Sequence, residues 1–566
     1  MSSRRDLHGF EEDLRWAVDF DPADPRLGLD WAECSSDRIT RRTLLRLAVA
    51  AGALRYLAPL MRPAPVLAQA AGRPGGELKA AWGVREFTNL DPAFINQVVQ
   101  FQVTSNVLGG LTHIDAGLVP RPDLAENWEV SSDGLTWTFK LRRGVRWHNG
   151  DNFDADDVLY TFNRTRDPQA GSIHRSILDP FERAEKLDPF TVRFTLKEPR
   201  AALLVKITER SSGRALTIVN RRAIQQMGRE YTRRPVGTGP FRITEHRLGE
   251  RLVLEKFPDY YVKDRPLLDR VTIFNIEEPA TLVAALESGQ VEFINGIPEA
   301  LFPRVQANRD VTISEADDPG FQALFFNMRN DKQQKIGKAS LPTDDNRVRL
   351  AMARGMDRDD LIRRALFGRA VPAFGPIPKA QKLYFRDLSQ TSPQRFDPEE
   401  AKRLLAEAGF GRGFSLKMLV STAVRRRGEV IADIYRRTLG LNIELEVVDF
   451  PVQVQRFDQG QYELLQIGSG GDPDPDDSID DWFWTSAKFN TFGWSNKQVD
   501  ALNEAQKQTA DIQKRVRWVQ AAVDLIAKDA PAVFLFHGKD SVAYRKNVRG
   551  FVHIPGLRDL DAVTVR

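Results

Sequence analysis

Residues 133 to 162, "DGLTWTFKLRRGVRWHNGDNFDADDVLYTF", carry both hydrophobic periods of the chain in one short run. Leu135, Trp137, Phe139 and Leu141 alternate with polar residues, which predicts a strand with one face in a core. Asp133-Gly134 predicts a hairpin turn linking that strand to "WEV", and Asn149-Gly150 predicts a second turn. The period then lengthens. Asp154 stands as a helix cap, Asp157 follows three residues on near the positive end of the helix, and Val158, Leu159 and Phe162 form its apolar side.

The same two periods alternate along the rest of the chain. "ELKAAWG" predicts a first strand and "FTNLDPAF" the loop leaving it. In "RRPVGTGPFRI", Gly237, Gly239 and Pro240 predict a tight turn entering a strand, with further strands in "RLVLEKF" and "LLDRVTIFNI". "ATLVAALESGQVEFI" predicts a short amphipathic helix, a stop at Gly289 and a strand. Three later helices carry clear ends. Asn346 precedes "RVRLAMARGM"; Asp357 caps "RDDLIRRALF", with Asp360 at its third position and Gly368 as stop; Asp397-Pro398 opens "EEAKRLLAEAG", with Glu400 at its third position and Gly409 closing it. "FSLKMLVS" and "NIELEVVDF" flank another helix in a βαβ-like arrangement. The mixture predicts an α/β protein without internal repeats.

One segment departs from this pattern. "ITRRTLLRLAVAAGALRYLAPLMRPAPVLAQA" places Arg41 and Arg42 before a weakly apolar run and the small-x-small group Ala68-Gln69-Ala70 after it, the layout of a cleaved leader. The charge-free run from Leu47 to Leu54 would span only about 12 Å as a helix, too short for a membrane anchor. Thr40 to Arg46 resembles the twin-arginine (Tat) export signal, with Leu44 where Phe is usual and Arg46 in place of Lys. Residues 1–70 are therefore expected to be a leader cleaved near Ala70. The only cysteine, Cys34, leaves with it, so the exported chain has no disulfide and no thiolate metal site. Ten arginines and ten acidic residues leave too, so the net charge stays at +4. So weak an excess over so long a chain argues against nucleic acid, which calls for a concentrated basic face.

The chemistry of catalysis is missing from the pattern. The six histidines after the leader, His113, His148, His174, His246, His537 and His553, include no pair at the i, i+4 spacing that aims two imidazoles at one metal. "IGSGG" has Ile467 where a nucleophile elbow needs Gly, and "GFGRGF" follows a helix and lacks the third Gly of a dinucleotide loop. No phosphate-binding lysine motif is present. No catalytic residue, metal or cofactor is expected. The most unusual stretch is "GGDPDPDDSIDDWFW". It imitates a calcium loop but carries Asp477 where Gly is required and Phe483 where Glu is, so Asp474 to Asp481 is expected to be a solvated acidic loop. Asp472 follows a glycine-rich break at the end of the strand-like "ELLQIGS", where a carboxylate can face a cleft and pair with a cation.

Taken in order, "LAENWEVSSDGLTWTFKLRRGVRWHNGDNFDADDVLYTF", "VGTGPF", "ESGQVEF", "FFNMRN", "DDNRVRLAMARGMDRDDLI", "DPEEAKRLLAEAGF" and "DAPAVFLFH" resemble the extracellular solute-binding proteins of family 5, the dipeptide- and oligopeptide-binding components of ABC importers. The resemblance covers essentially the whole chain after the leader. It implies a two-lobed periplasmic binding protein fold (type II, cluster C-like), with two crossover strands as a hinge. Lobe one is expected at about 71–318 plus 534–566, with an extra subdomain at about 113–243, and lobe two at 319–533. The implied role is a monomeric periplasmic receptor that captures a peptide or related amine-bearing solute and passes it to an inner-membrane ABC permease. A chelated metal, an opine or a sugar is the alternative cargo, and an exported enzyme with a noncovalent cofactor a remote one. In peptide-binding relatives a Trp-x-x-Asp segment supplies the aspartate that pairs with the peptide's ammonium. The corresponding segment here is Ser469-Gly470-Gly471-Asp472, so Asp472, Gly471 and Ser469 are ligand candidates, with Ser469 in place of the tryptophan. Arg85, Glu86 and Phe87, at the exit of the first strand, stand where relatives present ligand-facing groups from lobe one.

Overall fold

The computed structural model describes residues 74–566 except 96, 209–212, 329–340 and 510; the leader expected over 1–70 lies outside the described residues. Three sheets organise the chain. The first has seven strands in the order Val311–Asp317, Lys539–Arg545, Phe293–Ile294, Glu77–Trp82, Arg270–Asn275, Arg251–Lys256, Phe241–Arg247. The predicted first strand lies at its centre, parallel to both neighbours, with Glu77 opposite Arg270 and Ala80 opposite Phe293. Alternate residues of that strand feed two cores. Leu78, Ala80 and Trp82 pack with Phe241 and Leu252, while Ala81 packs with Leu282 and Leu286 of the helix Pro279–Ser288.

The second sheet has six strands in the order Val371–Pro372, Ala532–His537, Gln322–Phe326, Leu464–Gly468, Ser415–Ser421, Asn442–Val448. Its central strand is apolar on both faces because both are covered. Leu324 and Phe326 join Met352 and Tyr435, whereas Ala323 and Phe325 join Trp482 and Trp518. Fully buried Leu324, Phe325 and Phe326 contribute about 1.5–3 kcal/mol each. The βαβ reading holds: Ser415–Ser421 and Asn442–Val448 run parallel, joined through the helix Arg425–Leu439. The third sheet has four antiparallel strands in the order Ala125–Val130, Thr136–Leu141, Thr191–Leu196, Phe181–Asp188. The helix Ala155–Arg166 covers it, and Phe162 meets Phe181 and Phe194 at ring distances of 5.6 and 5.7 Å.

Local signals were accurate where side chain and backbone agree. Gly134 turns the hairpin with φ of 70°, Asp154 accepts from the Asp156 amide at 2.9 Å, and Asp357 and Asp397 accept from Asp360 and Glu400. One cap is shifted by a residue: Asp345 accepts from the Arg347 amide at 2.8 Å, and Asn346 is the first residue of its helix.

The chain crosses between the seven- and six-stranded sheets at Asp318–Phe321 and returns at Gly538. These crossings lie side by side, with the Asp318 amide donating to the Gly538 carbonyl at 3.1 Å. The return was expected at 534. Phe534 instead pairs with Ala323 inside the six-stranded sheet, so the strand Ala532–His537 ends on that side and the crossing follows it.

Candidate functional site

The glycine-rich loop leaving the strand Leu464–Gly468 lies flush on the outgoing crossing. A Cβ on Gly468 would sit 2.0 Å from the Phe321 carbonyl oxygen, one on Gly471 2.1 Å from the Gly320 nitrogen, and one on Gly320 2.3 Å from the Ser469 carbonyl oxygen. Gly471 also has φ of 70°, a conformation that favours glycine. These glycines therefore let two backbones touch at the hinge. Ser469 fixes the loop from within: its hydroxyl accepts from the Gly471 amide at 3.0 Å and donates to the Asp477 carboxylate. Asp472 is 2 % exposed, and its carbonyl oxygen accepts from Gln381 Nε2 at 2.8 Å.

The stretch after Asp472 corrects the expectation of a solvated acidic loop. Asp474 caps a helix, Pro475–Phe483, that packs Trp482 and Phe483 into the core, and this turns several of its carboxylates inward. Asp474 and Asp476 are buried and share Arg515. The guanidinium reaches the Asp474 oxygens at 2.6 and 2.7 Å and Asp476 at 3.3 Å, and Gln506 Nε2 donates to Asp476 at 2.6 Å. Asp480 pairs with Lys507 at 2.9 Å and accepts from Asn503 at 2.7 Å. Burial favours the neutral Asp476 carboxyl, but Arg515 and Lys206 outweigh it and hold the group below the usual carboxylate range.

Asp481, and at longer range Asp472 and Asp477, meet a cation of the other lobe. Lys206 ends the short helix Leu203–Lys206, whose Leu203 and Leu204 are anchored, with Ile207, in the core of the four-stranded sheet. Its ammonium stands 3.8 Å from Asp481 Oδ2, and the charges of Asp481, Asp472, Asp476 and Asp477 hold it protonated against the effect of burial. Burial, reinforced by Asp472, pushes the Asp477 carboxyl up to about 6 even with Lys206 opposing. Burial likewise pushes Asp481 up to about 7 against Lys206, with Asp477 and Asp480 adding to the rise. Beside this group the Ala201 amide donates to the Lys507 carbonyl at 2.8 Å, a backbone bond between lobes.

Further interlobe contacts stand nearer the crossings. Arg427 pairs with Glu299 at 2.8 Å; Arg369 pairs with Glu315 at 2.7 Å and lies 3.4 Å above the Phe302 ring. Residues of the two lobes therefore touch at several points in this structure.

Of the candidates from the first-strand exit, Arg85 is exposed and Glu86 half-buried. Phe87 is fully buried in the lobe-one core with Trp82 and Leu90, so its ring serves packing. Ser469, Gly471 and Asp472 share one loop; Arg85, Glu86 and Phe87 form a separate segment. Gly237 and Gly239 serve the fold, since their Cβ atoms would fall 1.7 and 2.7 Å from the Val107 backbone. Sequence reasoning missed Lys206, although a lone lysine inside the apolar run "AALLVKI" was a visible signal. Arg369 and Arg427 gave no signal among the many arginines of the chain.

A separate cavity of about 590 Å³ lies within lobe two, lined by Phe374, Tyr384, Phe385, Arg386, Val523 and His537 among others. Burial lowers the His537 imidazole to about 4, so it is neutral near pH 7. Among the described residues no group of three or more His, Cys, Asp or Glu is arranged to hold a metal ion, and no helix is long and apolar enough to cross a membrane.

Residues 119–491 match the sequence profile of the bacterial extracellular solute-binding proteins, family 5 Middle. The chain belongs to this family. Among its relatives is the glutathione-binding protein GsiB of Salmonella paratyphi A, 28% identical over 481 residues that cover 83% of this chain and 90% of GsiB. Among solved structures, the ABC transporter-associated periplasmic binding protein DppA from Helicobacter pylori, in complex with peptide STSA, superposes with a TM-score of 0.74 at 25% identity, covering 87% of this chain and 98% of DppA. The binding protein AgaA from A. tumefacien R10, in complex with agropinic acid, gives 0.73 at 25% identity over 87% of this chain. This family 5 protein thus has the two-lobed type II periplasmic binding protein fold and the role that goes with it, a solute receptor of an ABC importer.

Proposed function

We propose that this family 5 protein is exported through the twin-arginine pathway, is cleaved near Ala70, and works in the periplasm as a monomer. It closes on a peptide or related solute between its lobes and presents the shut form to an inner-membrane ABC permease, performing no chemistry of its own. The loop of Ser469, Gly471 and Asp472 from lobe two and Arg85 and Glu86 from lobe one border its solute site, with Phe87 packed in the core beneath the latter.

The observation that carries this reading is the pair of adjacent crossings together with contacts between the lobes: Lys206 with Asp481, Arg427 with Glu299, and Arg369 with Glu315. Such a molecule selects a solute by completing its contacts only in the shut state. A solute need favour that state by only about 5.5 kcal/mol to move the equilibrium from 1:99 to 99:1. GsiB and DppA, named for glutathione and shown with a peptide, support a peptide-like cargo; AgaA, shown with agropinic acid, supports the opine alternative. Native mass spectrometry of protein taken from the periplasm tests the proposal. One small organic molecule per chain is the expected result; a stoichiometric metal or a chromophore would overturn it. Replacing Arg41 and Arg42 with lysine should leave the protein in the cytoplasm.

A further inference from the structure

A cluster of inward-turned carboxylates beside an interlobe hinge has the chemistry to accept an ammonium group. The structure supplies that ammonium from the protein itself. Lys206 extends from a lobe-one helix whose Leu203 and Leu204, with Ile207 after it, are held in the core of the four-stranded sheet, so its position is set by that lobe and not by the acidic helix. Its Nζ stands 3.8 Å from Asp481 and within the electrostatic reach of Asp472, Asp476 and Asp477, all on lobe two. Lys206 is only 22 % exposed, and the neighbouring bond from the Ala201 amide to the Lys507 carbonyl holds its segment against lobe two. The other cations of this region are already committed: Arg515 to Asp474 and Asp476, Lys507 to Asp480 and Glu504, and Arg200 to Glu198.

We propose that Lys206 sets specificity, its ammonium occupying the place among Asp472, Asp477 and Asp481 that a solute's amine would take, so that the cleft selects solutes bringing no free amine to that end. The inference rests on the receptor reading above and names the solute class of the same site. A second cation arriving there meets the resident ammonium at short range, a repulsion that is strong where water is excluded. A blocked or neutral end meets none. N-acylated peptides, and other solutes whose nitrogen at that end is amide-bound, fit this chemistry; free-amine peptides do not.

The test compares trialanine with N-acetyl-trialanine by calorimetry on the full exported chain, in wild type, Lys206→Met and Lys206→Arg. Wild type and Lys206→Arg should favour the acetylated peptide by about tenfold or more, and Lys206→Met should reverse the preference. A parallel arm needs no peptide. Methylammonium at about 0.1 M should raise the melting temperature of Lys206→Met by mass action at the vacated position, and leave wild type unmoved. Wild type binding trialanine at least as tightly as its acetylated form, with Lys206→Met leaving the ratio unchanged, would overturn the proposal. So would methylammonium acting alike on both proteins. If neither peptide binds any variant, the peptide cargo falls while the methylammonium arm alone decides the role of Lys206.

Discussion

Replacing Gly471 with alanine tests whether the glycine loop is a hinge bearing or a solute contact. Its φ of 70° places it in the left-handed region, which costs a residue with a Cβ about 1–2 kcal/mol. The added methyl would lie 2.1 Å from the Gly320 nitrogen and 2.2 Å from the Pro319 carbonyl carbon. Both are backbone atoms of the crossing and cannot swing aside as a side chain would, so overpacking adds about 1–3 kcal/mol. The expected loss is about 2–5 kcal/mol, seen in calorimetry as a drop of about 2–5 °C in melting temperature if the whole chain unfolds together, and about twice that if lobe two unfolds on its own. Gly470 is the internal control: it is exposed, has no atom within 4 Å of its Cβ position, and should tolerate alanine within about 0.5 kcal/mol. If Gly471→Ala melted with Gly470→Ala and lost only solute affinity, the loop would be a binding element and the packing argument would be wrong.

Other expectations follow from the same geometry. Arg515→Met leaves Asp474 and Asp476 buried without their cation and should destabilise lobe two by about 3–5 kcal/mol, measured by thermal melting. Asp481 holds a proton in the folded chain up to about pH 7 that an unfolded aspartate, at its ordinary 3.8, has released, so its contribution to stability falls as pH rises through that window. Melting Asp481→Asn beside wild type from pH 4.5 to 7.5 should therefore show wild type losing ground steadily relative to the variant; a constant difference would contradict the assignment. Arg427→Gln breaks an interlobe pair whose Glu299 partner is half exposed, so its effect on stability should stay under about 1 kcal/mol. The same change should raise the open fraction of solute-free protein, read from its scattering radius.

Elements whose side chains also fix the backbone were legible in advance. The alternation through Trp137 and Phe139, the caps Asp154, Asp357 and Asp397, and the turn at Gly134 each encode structure within a few residues, and each forms as its pattern predicts. The acidic segment was misread because its charge pattern says nothing of what lies opposite. Lys507 arrives from a helix 27 residues later, Arg515 from one 39 to 41 residues later, and Lys206 from the other lobe some 270 residues earlier. Phe87 was assigned to the solute on the strength of its position after the first strand, yet the fold turns its ring into the core with Trp82. Gly471 was singled out as a solute contact beside Asp472; that its missing side chain admits the crossing at Gly320 was not legible, because it depends on a contact between residues about 150 apart in sequence.

The central claim is that two hinged lobes shut around a guest. Its most direct test is small-angle X-ray scattering on protein stripped of solute by unfolding and refolding, then resupplied with the molecule found by native mass spectrometry. The radius of gyration should fall on addition, saturating at one molecule per chain. A profile unchanged across that titration, with the molecule demonstrably bound, would contradict it.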